Sequence, residues 1–279
     1  MSNILKSIFV TSFITYAIFS ALQSSWLLAM DGFSYSYLGR LIASFTITFL
    51  FLKAFVLHNT ARTSPNLPYR TSIIAVGFLM STIGGTILST LPNLLLLLGW
   101  LAYVFWYSRF DGRTQKIAVG NSLANFELED TAKNVISSKS FLGNPTIFMF
   151  YRGNWCPLCM AQIKEIASQY KALEKRGVNM ALISPQPHHF SKSLAKKYDV
   201  PFQFLVDVNN KVAKQLAIFH KNGLPAGMQM FGYKNDTVMP TVIITDAYGR
   251  IIFADLTDNY RVRPEPDTFL KILDNNAIG

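Results

Sequence analysis

Residues 145–163 read Pro-Thr-Ile-Phe-Met-Phe-Tyr-Arg-Gly-Asn-Trp-Cys-Pro-Leu-Cys-Met-Ala-Gln-Ile, and this stretch decides the fold. An apolar run typical of a β-strand covers residues 146–151, a short polar break follows, and Trp-Cys-Pro-Leu-Cys stands at the start of a helical pattern. Cys156 and Cys159 are the only two cysteines among 279 residues. Two lone cysteines at this spacing, at a strand-to-helix junction, predict dithiol chemistry.

The position of the pair at the helix start indicates a role for each sulfur. Pro157 suits the first position of a helix, which places Cys156 at or beside the N-cap. There the free backbone N–H groups and the helix dipole favour a thiolate, and Arg152 would add positive charge. Cys156 is therefore the predicted nucleophile, and Cys159, one turn later, is the predicted resolving thiol that closes a disulfide.

Two plainer interpretations compete with this one. A Cys-x-x-Cys pair is half of a zinc site, but the chain has no second cysteine pair, and His188 and His189 would complete a site only by accident of folding. The other interpretation is a pair of inert buried cysteines. The flanking strand and helix patterns favour redox chemistry, and no metal or cofactor is expected. His188 and His189 are predicted to start a helix.

The charge distribution divides the chain into two halves. Half of the residues are hydrophobic and 15% are charged. Residues 1–116 hold eight Lys or Arg and two acids, whereas residues 117–279 hold the other 18 basic and 14 acidic residues. The net charge of +10 therefore does not predict nucleic-acid binding. Much of it flanks apolar segments, where it indicates membrane topology.

Residues 1–110 are predicted to be a transmembrane region. Residues 7–30 and 71–108 carry no charge, and the second stretch is long enough for two crossings with a turn at residues 89–93. The predicted helices are about 7–30, 35–58, 72–88 and 92–108, with a linker at 111–120 and a soluble domain at 121–279. Seven basic residues fall on the side that holds both termini, and only Arg40 falls on the other. This bias predicts a multi-pass protein of the inner (plasma) membrane with its C-terminal domain in the cytoplasm.

The function of the membrane half is less defined by its residues. It contains no cysteine, so it cannot relay electrons by thiol exchange. A simple anchor is the favoured interpretation, and a partner-docking or quinone-facing module is the alternative.

The soluble half alternates short apolar strands with amphipathic helices and ends in a hairpin and a helix. This pattern predicts an α/β fold with a mixed central sheet flanked by helices. The predicted strands are 126–128, 146–151, 178–184, 203–207, 241–246 and 250–256, and the predicted helices are 157–175, 188–198, 209–219 and 267–273. Residues 222–236 are predicted to be an insertion loop that covers the active site or touches the bilayer.

A strand that enters Trp-Cys-x-x-Cys, with Met-Pro-Thr at 239–241 opening a later strand, resembles the thioredoxin fold. The motifs Phe126-x-Leu128-x-Asp130, Phe-Tyr-Arg-Gly-x-Trp-Cys-Pro-x-Cys at 150–159, Ile-Ser-Pro-Gln at 183–186 and Tyr260-x-x-Arg263-x-Glu265-Pro266 are together similar to the peroxiredoxin-like branch of the AhpC/TSA family. This resemblance covers about residues 120–275.

The resemblance implies antioxidant peroxide reduction, with Cys156 peroxidatic and Cys159 resolving, and electrons from a thioredoxin-like or low-molecular-weight thiol. It also implies a cis bond before Pro240, which would face the dithiol. The residues expected to support the pair are Arg152, Trp155, Pro240, Thr241 and Arg263, and Arg152, Arg261 and Arg263 are the candidates for the activating arginine.

The chain departs from the usual peroxiredoxin signature at two positions before the nucleophile. Met149 stands where that family has proline, and Gly153 stands where it has threonine or serine. The hydroxyl that steers the peroxide is therefore missing from its usual place. This keeps a second hypothesis open, a dithiol–disulfide oxidoreductase acting on protein disulfides, and a third, a redox-sensing or docking protein without enzymatic activity.

Overall fold

The computed structural model describes residues 2–58, 60–83, 85–110 and 116–276. Its N-terminal part is a bundle of helices, and its C-terminal part is a mixed sheet flanked by helices. The bundle consists of α1 (Ser2–Met30), α2 (Tyr35–Leu57), α3 (Pro68–Thr82) and α4 (Ile87–Ala102), which continues as a π-helical turn over Tyr103–Tyr107.

Three of these helices are long and apolar enough to cross a membrane: Ser2–Met30, Tyr35–Leu57 and Ile87–Tyr107. Helix α3 has 15 residues, which corresponds to roughly 22 Å at 1.5 Å per residue. That is shorter than the hydrocarbon core of about 30 Å. The four-span topology therefore stays a prediction, and in the residues described three helices have the required length.

The third and fourth helices begin earlier than the sequence predicts. The predicted turn at 89–93 is wrong, since Pro92 lies inside α4 and the chain turns before Ile87. Thr86 caps α4, because its Oγ1 accepts a hydrogen bond from Ser89 N at 3.3 Å. Pro92 lies in the second turn, where it costs the helix one backbone hydrogen bond without ending it.

Helices α2 and α3 touch through two glycines. A Cβ atom on Gly77 would lie 2.6 Å from Gly39 O, and a Cβ atom on Gly39 would meet Gly77 O as closely. Small residues let helix backbones approach in this way inside membranes. Asn93 of α4 adds a buried hydrogen bond from its Nδ2 to Gly77 O at 2.8 Å. The centre of the bundle is therefore held by close backbone packing and by one side-chain amide.

The C-terminal sheet is built from seven strands: β1 (Glu127–Glu129), β2 (Val135–Ser137), β3 (Thr146–Phe150), β4 (Asn179–Ser184), β5 (Gln203–Val206), β8 (Thr241–Thr245) and β9 (Ile251–Asp255). Their order across the sheet is β2-β1-β5-β4-β3-β8-β9. A separate pair is formed by β6 (Phe219–His220) and β7 (Thr237–Val238). The β3, β4 and β5 strands run parallel, whereas β8 and β9 are antiparallel to their neighbours. The predicted mixed sheet is confirmed.

The helices described beside the sheet are α5 (Pro157–Ser168), α6 (Tyr170–Glu174), α7 (His188–Tyr198), α8 (Lys211–Gln215) and α9 (Pro266–Asn275). Helix α7 begins at His188, as predicted. The predicted helix at 157–175 breaks at Gln169 into α5 and α6. The predicted helix at 209–219 is shorter, because Asn209, Asn210 and Ala217 have positive φ angles.

The central strand β3 separates two apolar cores. All five of its residues are buried. Ile147 and Met149 face the core that contains α5, α7 and α9, whereas Phe148 and Phe150 face the core that contains β1 and α8. A strand covered on both faces needs a continuous apolar run instead of alternation, which is the pattern of residues 146–150.

The domain begins at the end of the predicted linker. Residues 111–115 of that linker lie outside the described residues. Ile117 is buried in the core of the domain, and Gly120 N donates a hydrogen bond to Ile251 O at 2.8 Å. The chain is therefore part of the domain from residue 117 onward.

The C-terminal domain packs against one end of the bundle. That end comprises the start of α1, the residues after α2 and the turn after α4. Asn3 Nδ2 donates to Lys221 O, Thr11 Oγ1 donates to Ala226 O, and Arg62 forms an ion pair with Glu165. The predicted insertion loop at 222–236 lies in this contact, beside α1. The bundle and the domain therefore share one polar and apolar interface.

Candidate redox site

The two cysteines lie at the junction between strand β3 and helix α5. Tyr151 N donates to Ile183 O, which continues the pairing of β3 with β4 to the last residue before the turn. Cys156 is the N-cap of α5 and Pro157 is its first residue, as the sequence predicts. Met160 N donates to Cys156 O and starts the helix. The thiols are thus attached to a strand end and a helix start, both fixed by packing.

The sulfurs are within direct reach of each other. Cys156 Sγ and Cys159 Sγ are 2.7 Å apart and share a hydrogen bond, and both residues are free thiols. Cys156 is 2% exposed and Cys159 is fully buried. A pair at this distance can form an intramolecular disulfide with little backbone movement.

Arg263 is the arginine that contacts the dithiol. Its Nη2 lies 3.4 Å from Cys159 Sγ and 3.9 Å from Cys156 Sγ. Two other hydrogen bonds fix the guanidinium, from Nη1 to Gln162 Oε1 at 2.8 Å and from Nε to Tyr260 O at 3.0 Å. Because the group is buried and held on three sides, its charge acts on the sulfurs with little screening by water.

The reduced dithiol loses its first proton more readily than an ordinary thiol and its second proton less readily. Burial raises the pKa of the Cys159 thiol, but the hydrogen bond with Cys156 and the charge of Arg263 outweigh it and lower that pKa to about 5. Burial and the neighbouring Cys159 sulfur raise the pKa of Cys156 well above its usual range. The buried dithiol therefore loses one proton readily and keeps the other, and Arg263, which lies closer to Cys159, stabilises the resulting anion. The predicted thiolate on Cys156 stays a prediction.

Arg152 lies on the other side of Cys156. Its guanidinium carbon is 4.5 Å from the centre of the Trp155 ring and 5.6 Å from that of Tyr260. It also hydrogen-bonds Tyr107 and Gly223 O. Its Nε is buried without a hydrogen-bond partner among the residues described. Arg152 and Trp155 are thus both beside the dithiol, as predicted, and they stack on each other.

Arg261, the third candidate for the activating arginine, lies in the interface with the bundle. Its guanidinium donates to Thr63 Oγ1, Ser64 O and Pro65 O, and to Ser108 Oγ. All four acceptors belong to the turns that leave α2 and α4. The structure therefore assigns the contact with the sulfurs to Arg263 and gives Arg261 a docking role.

Pro240 and Thr241 lie at the start of β8, beside the end of β3. Thr241 pairs with Phe150, and its Oγ1 donates to Met239 O at 2.9 Å. Pro240 lines a small cleft together with Gln162 and Arg263. The predicted cis bond is wrong, since the described residues contain no cis peptide bond. A trans bond suits this position because the chain runs extended from β7 into β8.

Residue 153 must be glycine because of the backbone conformation at this position. Its φ of +143° is a conformation that side-chain-bearing residues rarely adopt, and a Cβ atom there would lie 2.8 Å from Trp155 Nε1. Gln186 fills the neighbouring space and accepts a hydrogen bond from Asn154 N at 2.8 Å. The departure from threonine at this position is therefore part of how this loop folds around Trp155.

Cys156 faces a cavity of about 270 Å³ between the domain and the bundle. The domain contributes Trp155, Leu158, Tyr260 and the loop around Ala226, and the bundle contributes α1, α2 and Tyr107. Most of these side chains are apolar. The sulfur that the sequence predicts to be nucleophilic thus meets an apolar space walled on one side by the N-terminal helices.

Sequence reasoning missed three site residues: Gln162, Tyr260 and Tyr107. Gln162 stands one turn after Cys159 and would have been found by asking which polar side chain shares that helix face. Tyr260 precedes Arg263 in a motif already noted. Tyr107 carries no local signal, because it belongs to the bundle and reaches the site only through the tertiary fold.

The C-terminal domain is similar to proteins of a known family. The family model described as AhpC/TSA family matches residues 119–254. These residues form an AhpC/TSA-family domain. The chain is 32% identical over 103 residues to chloroplastic peroxiredoxin Q of Triticum aestivum, which covers 37% of this chain and 48% of that protein. The chain spans about half the length of the peroxiredoxin Q relatives it matches.

A second relative and a solved structure are also similar to this chain. The thiol-disulfide oxidoreductase ResA of Bacillus thuringiensis subsp. konkukian is 25% identical over 126 residues, which covers 45% of this chain and 72% of that protein. The solved structure of a PrxQ mutant of Xylella fastidiosa is 14% identical with a TM-score of 0.48, and the match covers 59% of this chain and 99% of that one. The family match contains both cysteines and ends before Tyr260, Arg263 and α9, and the bundle lies outside it.

Proposed function

We propose that the chain is a membrane-anchored thiol peroxidase that reduces hydroperoxides through Cys156 and Cys159. The observation that carries this proposal is the contact of the buried Arg263 guanidinium with both sulfurs. A fixed cation beside two touching thiols favours a thiolate at neutral pH, and a thiolate is the form that attacks a peroxide.

The reaction has two steps, and its atoms balance. In the first, Cys156 attacks the peroxide oxygen as a thiolate while Cys159 holds the remaining proton of the pair; the O–O bond breaks, Cys156 becomes a sulfenic acid, and the alkoxide takes the Cys159 proton and leaves as an alcohol. In the second, the Cys159 thiolate displaces hydroxide from the sulfenic acid and closes the disulfide, and the hydroxide takes a proton from solvent to become water. One hydroperoxide thus takes two electrons from the dithiol. Two thiol groups, from two molecules of a low-molecular-weight thiol or from one thioredoxin-like dithiol, then restore it.

The membrane part of the proposal rests on the apolar helices and on the charge bias. Helices α1, α2 and α4 have the length of spans. The basic residues cluster at the end of the bundle that carries the domain, which corresponds to an inner-membrane protein with its redox domain in the cytoplasm. A reporter fused to the C-terminus that is active only outside the cytoplasm would reverse this orientation.

A second candidate function is dithiol–disulfide exchange with a protein. The Cys-Pro-Leu-Cys pair at a helix N-cap and the similarity to ResA favour it. The burial of both sulfurs opposes it, since a partner's disulfide must approach a sulfur in line. The two functions predict different substrates for the same dithiol.

One experiment separates them. The reduced full chain in detergent is mixed either with hydrogen peroxide or cumene hydroperoxide, or with an oxidised model protein, and free thiols are counted over time. Peroxide consumption that Cys156→Ser abolishes supports the peroxidase. Reduction of the protein disulfide without peroxide consumption replaces it with the exchange function. If the chain does neither, it has no enzymatic activity of this class.

A further inference from the structure

The cavity in front of Cys156 has a second wall that belongs to the N-terminal helices. Val10, Ile14 and Thr15 line it from α1, and Leu50, Ala54 and Phe55 line it from α2. Thr11 and Phe51 line it as well, so each helix contributes positions i, i+1, i+4 and i+5, which cover an arc of roughly 140° around the helix. Each set covers roughly 8 Å of helix axis at 1.5 Å per residue. The two helices therefore form a short channel wall that ends at the redox site.

The exposed residues of the cavity lining belong to α1 and α2. Thr15 and Phe55 line the cavity and are also exposed. Exposed apolar side chains lie near them on the same helices, such as Phe19 at 56% and Leu52 at 55%, and Lys53 is the charged residue beside this set. In the proposed membrane-anchored chain, an opening between these two apolar helices would face lipid, with the long side chain of Lys53 reaching toward the headgroups.

The inner end of the channel is formed by the reactive sulfur and a cationic side chain. Cys156 lines the cavity there, whereas Cys159 does not. Arg152 also lines it, and its guanidinium donates to Gly223 O and packs on the Trp155 ring. A cation at this end favours the negative charge that develops on a peroxide oxygen when the O–O bond breaks.

We infer that this channel binds one hydrocarbon chain of a membrane lipid and presents a hydroperoxide on that chain to Cys156. This inference rests on the proposed function, and it makes the N-terminal helices part of the substrate site. The lipid hydroperoxide follows the balanced steps given above: its O–O bond breaks, the lipid leaves as a hydroxylated lipid, and the dithiol supplies both electrons.

The size and lining of the channel select this occupant. A volume of about 270 Å³ is below the range of roughly 300–1,000 Å³ that holds drug-sized ligands. A protein segment would bring backbone N–H and C=O groups into a wall with few hydrogen-bond partners. A hydrocarbon chain brings none, and it already lies in the bilayer at the mouth. The apolar wall therefore suits an acyl chain better than a peptide.

The first test compares two peroxides in the same vesicles. The reduced full chain is placed in phosphatidylcholine vesicles and offered phosphatidylcholine hydroperoxide or hydrogen peroxide, and loss of free thiols gives each rate. Ala54→Phe fills the channel from α2, and Val56→Phe adds the same ring to the exposed face of that helix as a control. We expect Ala54→Phe to slow the lipid hydroperoxide by at least about tenfold and to leave the hydrogen peroxide rate near wild type, with Val56→Phe unchanged for both.

A second measurement does not require peroxide turnover. Cys156 is alkylated with N-dodecylmaleimide or with a sulfonated maleimide in the same vesicles. We expect the dodecyl reagent to react faster, and we expect Ala54→Phe to remove that preference. Ala226→Phe, which fills the channel from the domain side, repeats both measurements if Ala54→Phe does not fold.

The outcomes separate this inference from the proposed function. If no peroxide is consumed but the dodecyl preference is seen, the peroxidase fails and the channel stands. If both peroxides are consumed at rates that neither filled variant changes, and both maleimides react alike, the channel is wrong and the peroxidase stands. Equal slowing of both peroxides in the filled variants overturns the substrate class.

Discussion

Arg263 Nη2 lies 3.4 Å from Cys159 Sγ, and this contact places a buried cation on the resolving sulfur. Gln162 and the carbonyl of Tyr260 hold the guanidinium in place, so the contact does not depend on a mobile side chain. The positive charge of Arg263 therefore lies nearer to Cys159 than to Cys156, and the hydrogen bond between the sulfurs connects the two. In the proposed reaction Cys159 holds the remaining proton of the pair and then resolves the oxidised Cys156.

The first prediction concerns the pH at which the thiolate forms. The pKa of Cys159 is lowered to about 5, so the reduced chain should gain thiolate ultraviolet absorbance as pH rises through about 5. Arg263→Ala removes the charge that lowers this pKa and should move the rise to higher pH, with a slower reaction with peroxide at neutral pH. The double variant Cys156→Ser/Cys159→Ser should show no rise. A wild-type midpoint near the ordinary thiol value would contradict the role of Arg263.

The same pKa predicts how stability depends on pH. Because the folded pKa of Cys159 lies below that of an unfolded thiol, the stabilisation is complete above the unfolded value near 8.5 and is lost as pH falls through about 5. The thermal midpoint of the reduced chain should therefore rise, relative to that of the disulfide form, between about pH 5 and about pH 8.5. Taking the difference between the thermal midpoints of the reduced and disulfide forms cancels the contribution of groups that titrate in both. A difference that is flat over this range would count against a buried thiolate.

The third prediction separates the roles of the two sulfurs. With hydrogen peroxide, Cys159→Ser should still consume one peroxide per chain and stop at a sulfenic acid on Cys156, but more slowly, because the variant lacks the neighbouring sulfur that shares the proton of the pair. A dimedone adduct found by mass spectrometry would identify that acid. Cys156→Ser should form no adduct and consume no peroxide. Adducts on Cys159 in the Cys156→Ser variant would exchange the two roles.

The fourth prediction tests the need for glycine before the pair. Gly153→Thr restores the residue typical of peroxiredoxins, but its φ of +143° and the contact with Trp155 Nε1 make a side chain unfavourable there. We expect a loss of roughly 1–3 kcal/mol in unfolding free energy from the backbone alone, and a further loss from the displaced ring. Gly227→Thr is the matched control, since its φ is +92° and no atom lies within 4 Å of the added Cβ. Equal thermal midpoints for the two variants would show that Trp155 is not in the way.

The fifth prediction concerns the docking of the domain on the bundle. Arg261 is 1% exposed and donates to the turns after α2 and α4. Arg261→Leu leaves those acceptors unpaired and should loosen the interface. Alkylation of Cys156 by a water-soluble maleimide should then rise by about tenfold or more. Arg250→Leu, on an exposed arginine of the same domain, should leave the rate unchanged, and a similar rise in both variants would deny Arg261 a specific role.

The sequence predicts the parts of this molecule that depend on local chemistry. The strand, the N-cap cysteine and Pro157 follow from residue types and spacing, and the mixed sheet follows from the strand–helix alternation. The turn before α4 is harder to place, because Pro92 is typical of a helix break whereas Thr86 provides the actual cap. The choice among Arg152, Arg261 and Arg263 needs the tertiary fold, since the three differ only in which loop or sulfur each guanidinium reaches.

The contribution of the bundle to the redox site depends on tertiary packing, which its sequence pattern does not indicate. Its composition predicts an anchor, because it contains no cysteine and few charges. That Tyr107 bonds Arg152 and that α1 and α2 line the cavity depends on how two parts of the chain pack. No spacing rule connects residues that are so distant in the sequence.

The near-complete burial of Cys156 has a consequence for kinetics. If the sulfur is reached through one channel, the oxidant and the incoming reductant must use it in turn, and each one occupying it keeps the other out. The steady-state pattern would then be ping-pong, with the rate falling again when the oxidant is in excess. In an oxidised membrane the turnover rate of such an enzyme would then be limited by the supply of the thiol reductant and not by the peroxide step.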